Sequence, residues 1–352
     1  MPSSNNLTPM SGNNNRLLNF LKYIISAAIA CVLLYFSFKE VSWPDFIAAL
    51  KSCRWEFILL SMIASIFAFW LRGLRWREIL LPIDPTTSRI TTFNAINIGY
   101  IANFVFPRIG EFVRCGFITK NSQNIPHGPD SQEGVRKLAS YDKVLGTVVL
   151  ERSWDMITMF LFLIILLAFK WNEFGGFFVE KMWKPMQKYF NFSMWWIVLA
   201  ICFSVVLLVW LVLATKDKWK PSGRLCEIFG GLMQGIGSCV KMKQKRNFFI
   251  QTALIWAMYW LMSAATMWAL PDLDTLGIVD ALFLMIAGSL GWLVPVPGGF
   301  GAFHFVVSLA LSTIYGIPFE LGIVFATLSH ESQAITMALC GGGSYLYETF
   351  RK

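Results

Sequence analysis

Long apolar runs separated by short polar stretches dominate the chain. Runs of about 18–25 apolar residues are long enough to cross a hydrocarbon core of about 30 Å as an α-helix. Six such runs predict complete membrane spans: Leu17–Phe38, Phe57–Trp76, Val148–Phe169, Met194–Ala214, Phe248–Leu270 and Leu321–Tyr345. With 56% of the residues hydrophobic and 14% charged, the pattern predicts an all-α polytopic membrane protein.

Three further apolar segments are too short or too interrupted for a complete span. Ile90–Phe106 stops at Pro107, and Ile278–Val294 is separated from Phe300–Ile314 by the sequence Pro295-Val-Pro-Gly-Gly. Broken helices persist at membrane depth only where protein or a water-filled cavity solvates them. We therefore predict two re-entrant or broken-helix units that enter from opposite faces, as in transporters with a midplane site. For the second unit, two ordinary helices joined by a tight outer turn are the alternative.

Basic residues predict the orientation of the chain. The polar stretches 72–89, 108–143 and 216–246 are rich in Lys and Arg, and the positive-inside rule makes them cytoplasmic. In this assignment, Arg72, Arg75 and Arg77 lie in the loop after the second span. Both termini are then cytoplasmic, and the bacterial cytoplasmic (inner) membrane is the expected location. The basic residues of 39–54 and 170–188 run against the rule.

The domain prediction is a disordered tail over residues 1–15 and a single transmembrane domain over residues 16–352. A polar cytoplasmic loop is expected at about 121–143, and a basic amphipathic cytoplasmic segment at about 215–247. Apolar residues recur at helical spacing within Arg224–Val240, which is typical of a helix on an anionic leaflet or of one packed on other loops. Because Gly231-x-x-x-Gly235 lies outside any predicted span, no helix-pairing role is assigned to it.

Charged residues beside the first break are candidates for a polar site. Arg108, Glu111 and Arg114 are spaced three apart and would share one helix face if the chain after Pro107 is helical. A phosphate suits the free N–H groups at a helix start together with arginine. The alternative is a cluster at the cytoplasmic end of the helix that faces lipid headgroups.

A second charged group, Glu151, Arg152 and Asp155, opens the third predicted span. The two carboxylates are four apart on one helix face, so we expect this triplet to pair with Arg108 and Arg114. The pairing is either a structural lock or one wall of a shared cavity.

The second break offers main-chain amides that no side chain shields. Pro297, Gly298, Gly299 and Gly301 prevent a continuous helix and allow a headgroup or ion to meet the backbone. A tight turn that needs glycine for positive φ explains the same residues without a binding role. His304 follows one helical turn later, as a hydrogen-bonded interior residue or as a ligand.

The sequence predicts no enzyme, cofactor or metal site. Its seven cysteines are scattered without a C-x-x-C pair, which predicts neither disulfides nor a metal cluster. His330-Glu331 lacks the second histidine of the H-E-x-x-H motif, because that position holds Ala334. No phosphate-binding loop, nucleophile motif or soluble catalytic domain is present, and no nucleic-acid partner is expected.

Taken together, three motifs resemble the lysylphosphatidylglycerol synthase transmembrane region, also called the flippase-like integral membrane family. The motifs are Asn103–Arg114, Glu151–Asp155 and Pro295–Gly301. The resemblance implies headgroup binding by Asn103, Pro107, Arg108, Gly110, Glu111, Arg114, Glu151, Arg152, Asp155, Pro297, Gly298, Gly299 and Gly301.

In that family, the membrane region is often joined to a domain that aminoacylates phosphatidylglycerol or to a glycosyltransferase, and it is associated with moving the modified lipid between leaflets. This chain reaches Lys352 without such a domain, so a stand-alone translocator is expected. His304 stands where relatives often carry an acidic residue, a departure expected to change headgroup preference or to make transport pH-sensitive.

These observations favour a lipid flippase that moves a polar phospho- or glycolipid headgroup between leaflets. Its expected partners are membrane lipids, anionic or headgroup-modified, and a lipid-modifying enzyme. Two alternatives stay open: a non-transporting membrane module that binds lipid or recruits such an enzyme, and an ion-coupled transporter of small solutes.

Overall fold

The computed structural model describes residues 41–106, 108–125, 136–189, 220–294 and 296–351, with isolated positions between 28 and 39 and between 196 and 207. The predicted tail over residues 1–15 lies outside the described residues. The predicted spans Leu17–Phe38 and Met194–Ala214 also lie outside them, apart from those isolated positions.

The described chain is almost entirely helical. Its helices are α1 Trp43–Ser52, α2 Trp55–Leu80, α3 Arg89–Val105, α4 Gly110–Asn121, α5 Tyr141–Lys170, α6 Lys184–Tyr189, α7 Lys220–Lys241, α8 Lys245–Ala269, α9 Ile278–Gly291, α10 Ala302–Tyr315 and α11 Phe319–Phe350. π-Helical turns follow α5 at Trp171–Gly175 and Phe178–Trp183, and 3-10 turns lie at Pro271–Leu273 and Pro297–Gly299. Strands β1 Asn124–Ile125 and β2 Arg136–Lys137 pair antiparallel within the predicted polar loop.

Four helical segments of the described chain are long and apolar enough to cross a membrane: Trp55–Leu80, Tyr141–Gly175, Lys245–Ala269 and Pro297–Tyr315. The first three overlap the predicted spans of the same regions almost completely, which confirms a polytopic membrane protein. The predicted span Leu321–Tyr345 lies inside α11, whose 32 residues are long enough to cross. Its middle is polar, with His330, Glu331 and Gln333, which lowers its mean hydropathy.

Antiparallel helices α2 and α8 form the scaffold on which the rest is placed. The Arg54 amide donates to the Ala269 carbonyl at 2.9 Å, and Ser61 Oγ donates to the Met262 carbonyl at 3.3 Å. Small buried residues allow this close approach: Ser61, Ala64, Ser65 and Ala68 on α2, and Ala264 and Ala265 on α8. The scaffold has two ends, here called the Leu80 end and the Arg54 end.

The first broken unit is a hairpin of α3 and α4 that enters at the Leu80 end. Helix α3 runs antiparallel to α2, with Phe93 against Gly73 and, farther in, the Tyr100 ring 4.8 Å from that of Phe69. Helix α4 then returns along α3 to the same end, where Ser122 Oγ donates a hydrogen bond to Asp84. The turn of this hairpin, which includes Phe106 and Arg108, therefore lies between the two ends of the scaffold, as predicted for a re-entrant unit.

The second broken unit is a hairpin of α9 and α10 that enters at the Arg54 end. Arg54 itself forms an ion pair with Asp274, just before α9. Tyr315 Oη donates to Asp280 Oδ1 at 2.9 Å and so joins the end of α10 to the start of α9. Each helix has 14 residues, about 21 Å, and α10 reaches the 19 residues of the candidate span Pro297–Tyr315 only together with the turn before it.

The turns of the two hairpins contact each other at partly exposed positions. Arg108 Nη2 donates to the Leu293 carbonyl, and the Phe104 and Phe300 rings lie 6.4 Å apart. The two turns therefore lie at the same level between the ends of the scaffold, which favours a broken unit over two ordinary helices with an outer turn. Helix α11 runs beside both hairpins, and near its end Asn94 Nδ2 donates to Glu348 Oε1 at 2.7 Å.

Helix α7 confirms the helix predicted within Arg224–Val240 and packs against the first turns of α5. Gly235 lies against the Lys143 carbonyl and Gly146, and Gly231 lies against Asp142. The assignment of no pairing role to the Gly231-x-x-x-Gly235 motif was therefore wrong, because both glycines let α7 approach α5. On the opposite face of α7, large apolar side chains are exposed: Phe229, Met233 and Val240.

The first hairpin depends on a close contact between two glycines, which yields a test of its packing. A methyl group on Gly110 would lie 2.1 Å from the Gly99 carbonyl oxygen. We expect Gly110→Ala to lower the free energy of unfolding by about 1–3 kcal/mol. Unfolding of the purified protein in mixed micelles measures the change.

Gly116→Ala, on the same helix, is the matched control, because a methyl group there meets no atom within 4 Å. It should stabilise the protein by up to about 1 kcal/mol through helix propensity alone. Equal stability changes for the two variants would contradict the packing described here.

Candidate functional site

Helix α2 carries two arginines into the interior. Arg72 and Arg75 lie within Trp55–Leu80, and both are buried. The prediction that placed them in a loop was wrong, because α2 continues to Leu80. Unpaired charges in a membrane interior are costly, so these two arginines require partners there.

Helix α5 supplies the partners of both arginines, and α4 adds a third arginine. Arg72 Nη2 lies 2.7 Å from Glu151 Oε1, and Arg75 Nη2 lies 2.6 Å from Asp155 Oδ1. Arg114 Nη1 lies 2.7 Å from Glu151 Oε2, so the fully buried Glu151 carboxylate joins arginines of two helices. We call Arg72, Arg75, Arg114, Glu151 and Asp155 the arginine cluster.

Aromatic rings surround the cluster and exclude water from the arginine faces. The guanidinium of Arg114 lies 4.7 Å from the centre of the Trp76 ring, which is within cation–π range. Arg72 lies 5.9 Å from the Tyr100 ring and donates from Nη1 to Tyr259 Oη at 3.0 Å.

The cluster has more positive than negative charge. Three arginines face two carboxylates, and the half-exposed Arg152 adds a further positive charge 3.3 Å from Glu151 Oε1. Among the described residues, two carboxylate oxygens of the cluster, Glu151 Oε2 and Asp155 Oδ2, lack a hydrogen bond. Several arginine N–H groups also have no hydrogen-bond acceptor there: Arg72 Nε, Arg75 Nε, Arg114 Nε and Arg114 Nη2. Buried donors of this kind are normally satisfied, and an anion with several oxygens is the group that would satisfy them.

The residues of the first turn divide between two places. Helix α4 begins at Gly110, and Arg108 lies before it at φ 59°, exposed. The predicted helix face shared by Arg108, Glu111 and Arg114 was therefore wrong for Arg108, which contacts Leu293 instead. The predicted pairing of the Glu151 triplet is confirmed for Arg114 and wrong for Arg108.

Of the other predicted residues, Asn103 supports the first turn. Asn103 Oδ1 accepts a hydrogen bond from the Gly110 amide at 2.7 Å, which joins the end of α3 to the start of α4. Glu111 is half-buried, and its Oε2 has no hydrogen-bond partner among the described residues. Pro107 lies outside the described residues.

The residues of the second turn form a separate group. Gly298, Gly299 and Gly301 have φ of 58°, 76° and 78°, the left-handed region that favours glycine, so backbone geometry explains them. The buried His304 lies beside α11, its ring 5.0 Å from that of His330. No contact recorded for the described chain joins this group to the arginine cluster, so the structure does not bring all predicted site residues together.

The sequence model of the lysylphosphatidylglycerol synthase TM region matches residues 23–341. The chain belongs to this family. No curated protein and no solved structure shows significant similarity to it.

Membership in the lysylphosphatidylglycerol synthase TM family agrees with the apolar helices and makes the chain an integral membrane protein of a family associated with lipid handling. Within it, sequence reasoning missed Arg72 and Arg75 as site residues. The available signal was that Arg72 and Arg75 are three residues apart at the end of an apolar run, which places both on one helix face. Glu151 and Asp155, four residues apart, likewise share one face of their helix.

The Glu151 carboxylate is expected to be the largest single electrostatic contribution to stability in this family member. Glu151→Gln leaves three buried arginines with one carboxylate. We expect the free energy of unfolding to fall by about 3–5 kcal/mol, because uncompensated buried charge remains. Denaturation in mixed micelles measures it.

Glu173→Gln is the control, since Glu173 lies on the π-helical continuation of α5 and forms an exposed pair with Lys170 at 2.6 Å. Its loss should change stability by about 1 kcal/mol or less. If both variants lose the same amount, Glu151 does not hold the cluster together.

Proposed function

We propose that this protein is a lipid flippase that moves a phosphate-containing headgroup between leaflets. The observation that carries the proposal is the surplus of buried positive charge in the arginine cluster, together with its unused N–H groups. A lipid phosphate supplies both the missing negative charge and several acceptor oxygens. The acyl chains would remain in the bilayer while the headgroup is bound.

Arginine suits this task better than lysine. Its planar guanidinium donates several N–H groups in fixed directions, so one edge of Arg114 can bind Glu151 while the others bind phosphate. Arg114 belongs to α4, so headgroup binding would act directly on the first hairpin. The half-exposed Arg152 lies at the rim of the cluster, where an incoming headgroup would first meet positive charge.

The meeting of the two turns supports a barrier within the pathway. Arg108 contacts the Leu293 carbonyl, and the Phe104 ring packs near Phe300 and Gly298. A headgroup that crosses between the hairpins requires these contacts to separate. A single exposed hydrogen bond contributes about 0.5–1.5 kcal/mol, so this barrier is low enough to open repeatedly.

Arg114→Lys tests the headgroup site. The lysine retains the positive charge beside Glu151 but loses the unused guanidinium N–H groups. Loss of a charge-assisted hydrogen bond corresponds to about 1.5–3 kcal/mol, so leaflet exchange should slow by about 10- to 100-fold. Exchange of fluorescent phosphatidylglycerol in proteoliposomes, followed by quenching of the outer leaflet, measures the rate.

Arg246→Lys, an exposed position at the start of α8, is the matched control and should leave the exchange rate unchanged. Unchanged exchange in a folded Arg114→Lys protein would refute the headgroup site. No exchange by the purified wild-type protein, with a lipid-modifying enzyme bound to it, would favour the non-transporting module. Saturable uptake of a water-soluble compound would favour the solute transporter.

Phe104→Ala tests the barrier between the turns. An aromatic pair contributes about 0.5–1.5 kcal/mol, so its loss should increase the separated population, and with it the exchange rate, by about 2- to 10-fold. Phe93→Ala is the control, because this ring on the same helix packs 5.3 Å from Trp70, away from the turns. A rate that falls equally in both variants would show that Phe104 only stabilises α3.

A further inference from the structure

Two histidines and a glutamate converge beside the second turn, on helices α10 and α11. One ligand atom each of His304, His330 and Glu331 lie within 4.8 Å of one another. His330 Nδ1 is 3.0 Å from Glu331 Oε1, and His304 Nε2 is 3.8 Å from the same oxygen. Sequence reasoning rejected a site at His330-Glu331 because a second histidine four residues later was missing. The structure supplies the second histidine from another helix.

A hydrogen bond indicates which ring nitrogen of His330 carries the proton. His330 Nε2 lies 2.7 Å from the Gly298 carbonyl oxygen. Because a carbonyl oxygen only accepts hydrogen bonds, Nε2 carries the proton and the Nδ1 of a neutral ring presents a lone pair. That lone pair faces the Glu331 carboxylate at 3.0 Å, and two electron pairs at this distance require a positive charge between them.

A metal ion at this position would meet favourable distances. Zinc binds imidazole nitrogen at about 2.0–2.1 Å and carboxylate oxygen at about 2.0–2.2 Å, so tetrahedral ligand atoms lie about 3.3–3.4 Å apart. The separations of 3.0 and 3.8 Å from Glu331 Oε1 lie on either side of this value, and the two imidazole nitrogens lie within 4.8 Å of each other. A metal-binding histidine also usually donates its other N–H to a carbonyl, as His330 does to Gly298.

The surroundings suit a bound cation with one accessible side. The His330 ring stacks on Trp292 with centroids 5.3 Å apart and meets the edge of Phe300 at 4.8 Å. His304 and His330 are buried, and His304 Nδ1 has no hydrogen-bond partner among the described residues. The side chain of Glu331 is 40% exposed, which gives an ion a path to the site.

We propose that His304, His330 and Glu331 bind one divalent transition-metal ion of the zinc class. Two imidazoles and a carboxylate are the ligand set of a zinc site that keeps its fourth position open, on the side where Glu331 is exposed. The ion joins α10 to α11 and, through the Gly298 carbonyl, holds the second turn against α11. This site does not require lipid transport, so its test is independent of the proposed function.

The test uses the full chain, purified in detergent without an affinity tag and treated with a chelator. Titration with zinc chloride should load one equivalent, and zinc-edge X-ray absorption should show nitrogen and oxygen ligands at about 2.0–2.2 Å with imidazole scattering. Magnesium and calcium should not displace the ion, since imidazole favours transition metals. Zinc should also raise the thermal unfolding temperature of the stripped protein.

His304→Gln and Glu331→Gln should each weaken zinc binding by at least about 100-fold, since even loss of an outer-shell partner weakens metal affinity by about 10- to 100-fold. His127→Gln is the matched control: it removes the only other histidine of the chain and should leave affinity and stoichiometry unchanged. His330→Gln, with the unfolding temperature measured without metal, provides a further variant if either substitution prevents folding.

Absence of stoichiometric zinc in the wild-type protein would overturn the proposal and leave a proton as the charge between His330 and Glu331. Zinc binding that persists undiminished in folded His304→Gln and Glu331→Gln proteins would also overturn it. Loss of zinc binding in His127→Gln would show that the ion binds at a site that includes His127, and this too would overturn the proposal.

Discussion

The rest of the structure depends on one buried carboxylate shared between arginines of two helices. Glu151 joins Arg72 of α2 to Arg114 of α4, and the next turn of α5 adds Asp155 beside Arg75. Placing these groups apart in a low-dielectric interior would be strongly unfavourable, so the ion pairs fix how the first hairpin sits against the long helices. Because the buried Arg114 must remain paired with Glu151, the position of α4 is defined.

The two hairpins reach the same level by different physical means. The first is held by ion pairs and by an asparagine side chain that binds the start of α4. The second is held by glycines with positive φ and by aromatic and imidazole rings packed around its turn. Their turns meet through one hydrogen bond and one ring contact, so each hairpin is anchored far more strongly to its own surroundings than to the other.

Hydrophobic length predicted three of the four apolar segments of the described chain that are long enough to span, and helix-breaking residues predicted the breaks in both hairpins. Apolar residues at helical spacing predicted the helix within Arg224–Val240. The pairing of Glu151 with Arg114 also followed from sequence, because i, i+3 and i, i+4 spacing places charges on defined faces. Arg72 and Arg75 were missed because charge at the end of an apolar run was taken to mean the end of the helix. His304 and His330 were not connected because their proximity arises from packing of α10 on α11, which sequence spacing does not contain.

The contact between α7 and α5 links the basic surface of the protein to its centre. Three glycines remove the side chains that would otherwise separate the two helices, so their backbones touch. Gly146 lies five residues before Glu151 on one rigid helix, about 7.5 Å along its axis. Because no loop separates Gly146 from Glu151, a displacement of α7 would reach the Glu151 carboxylate through the backbone of α5.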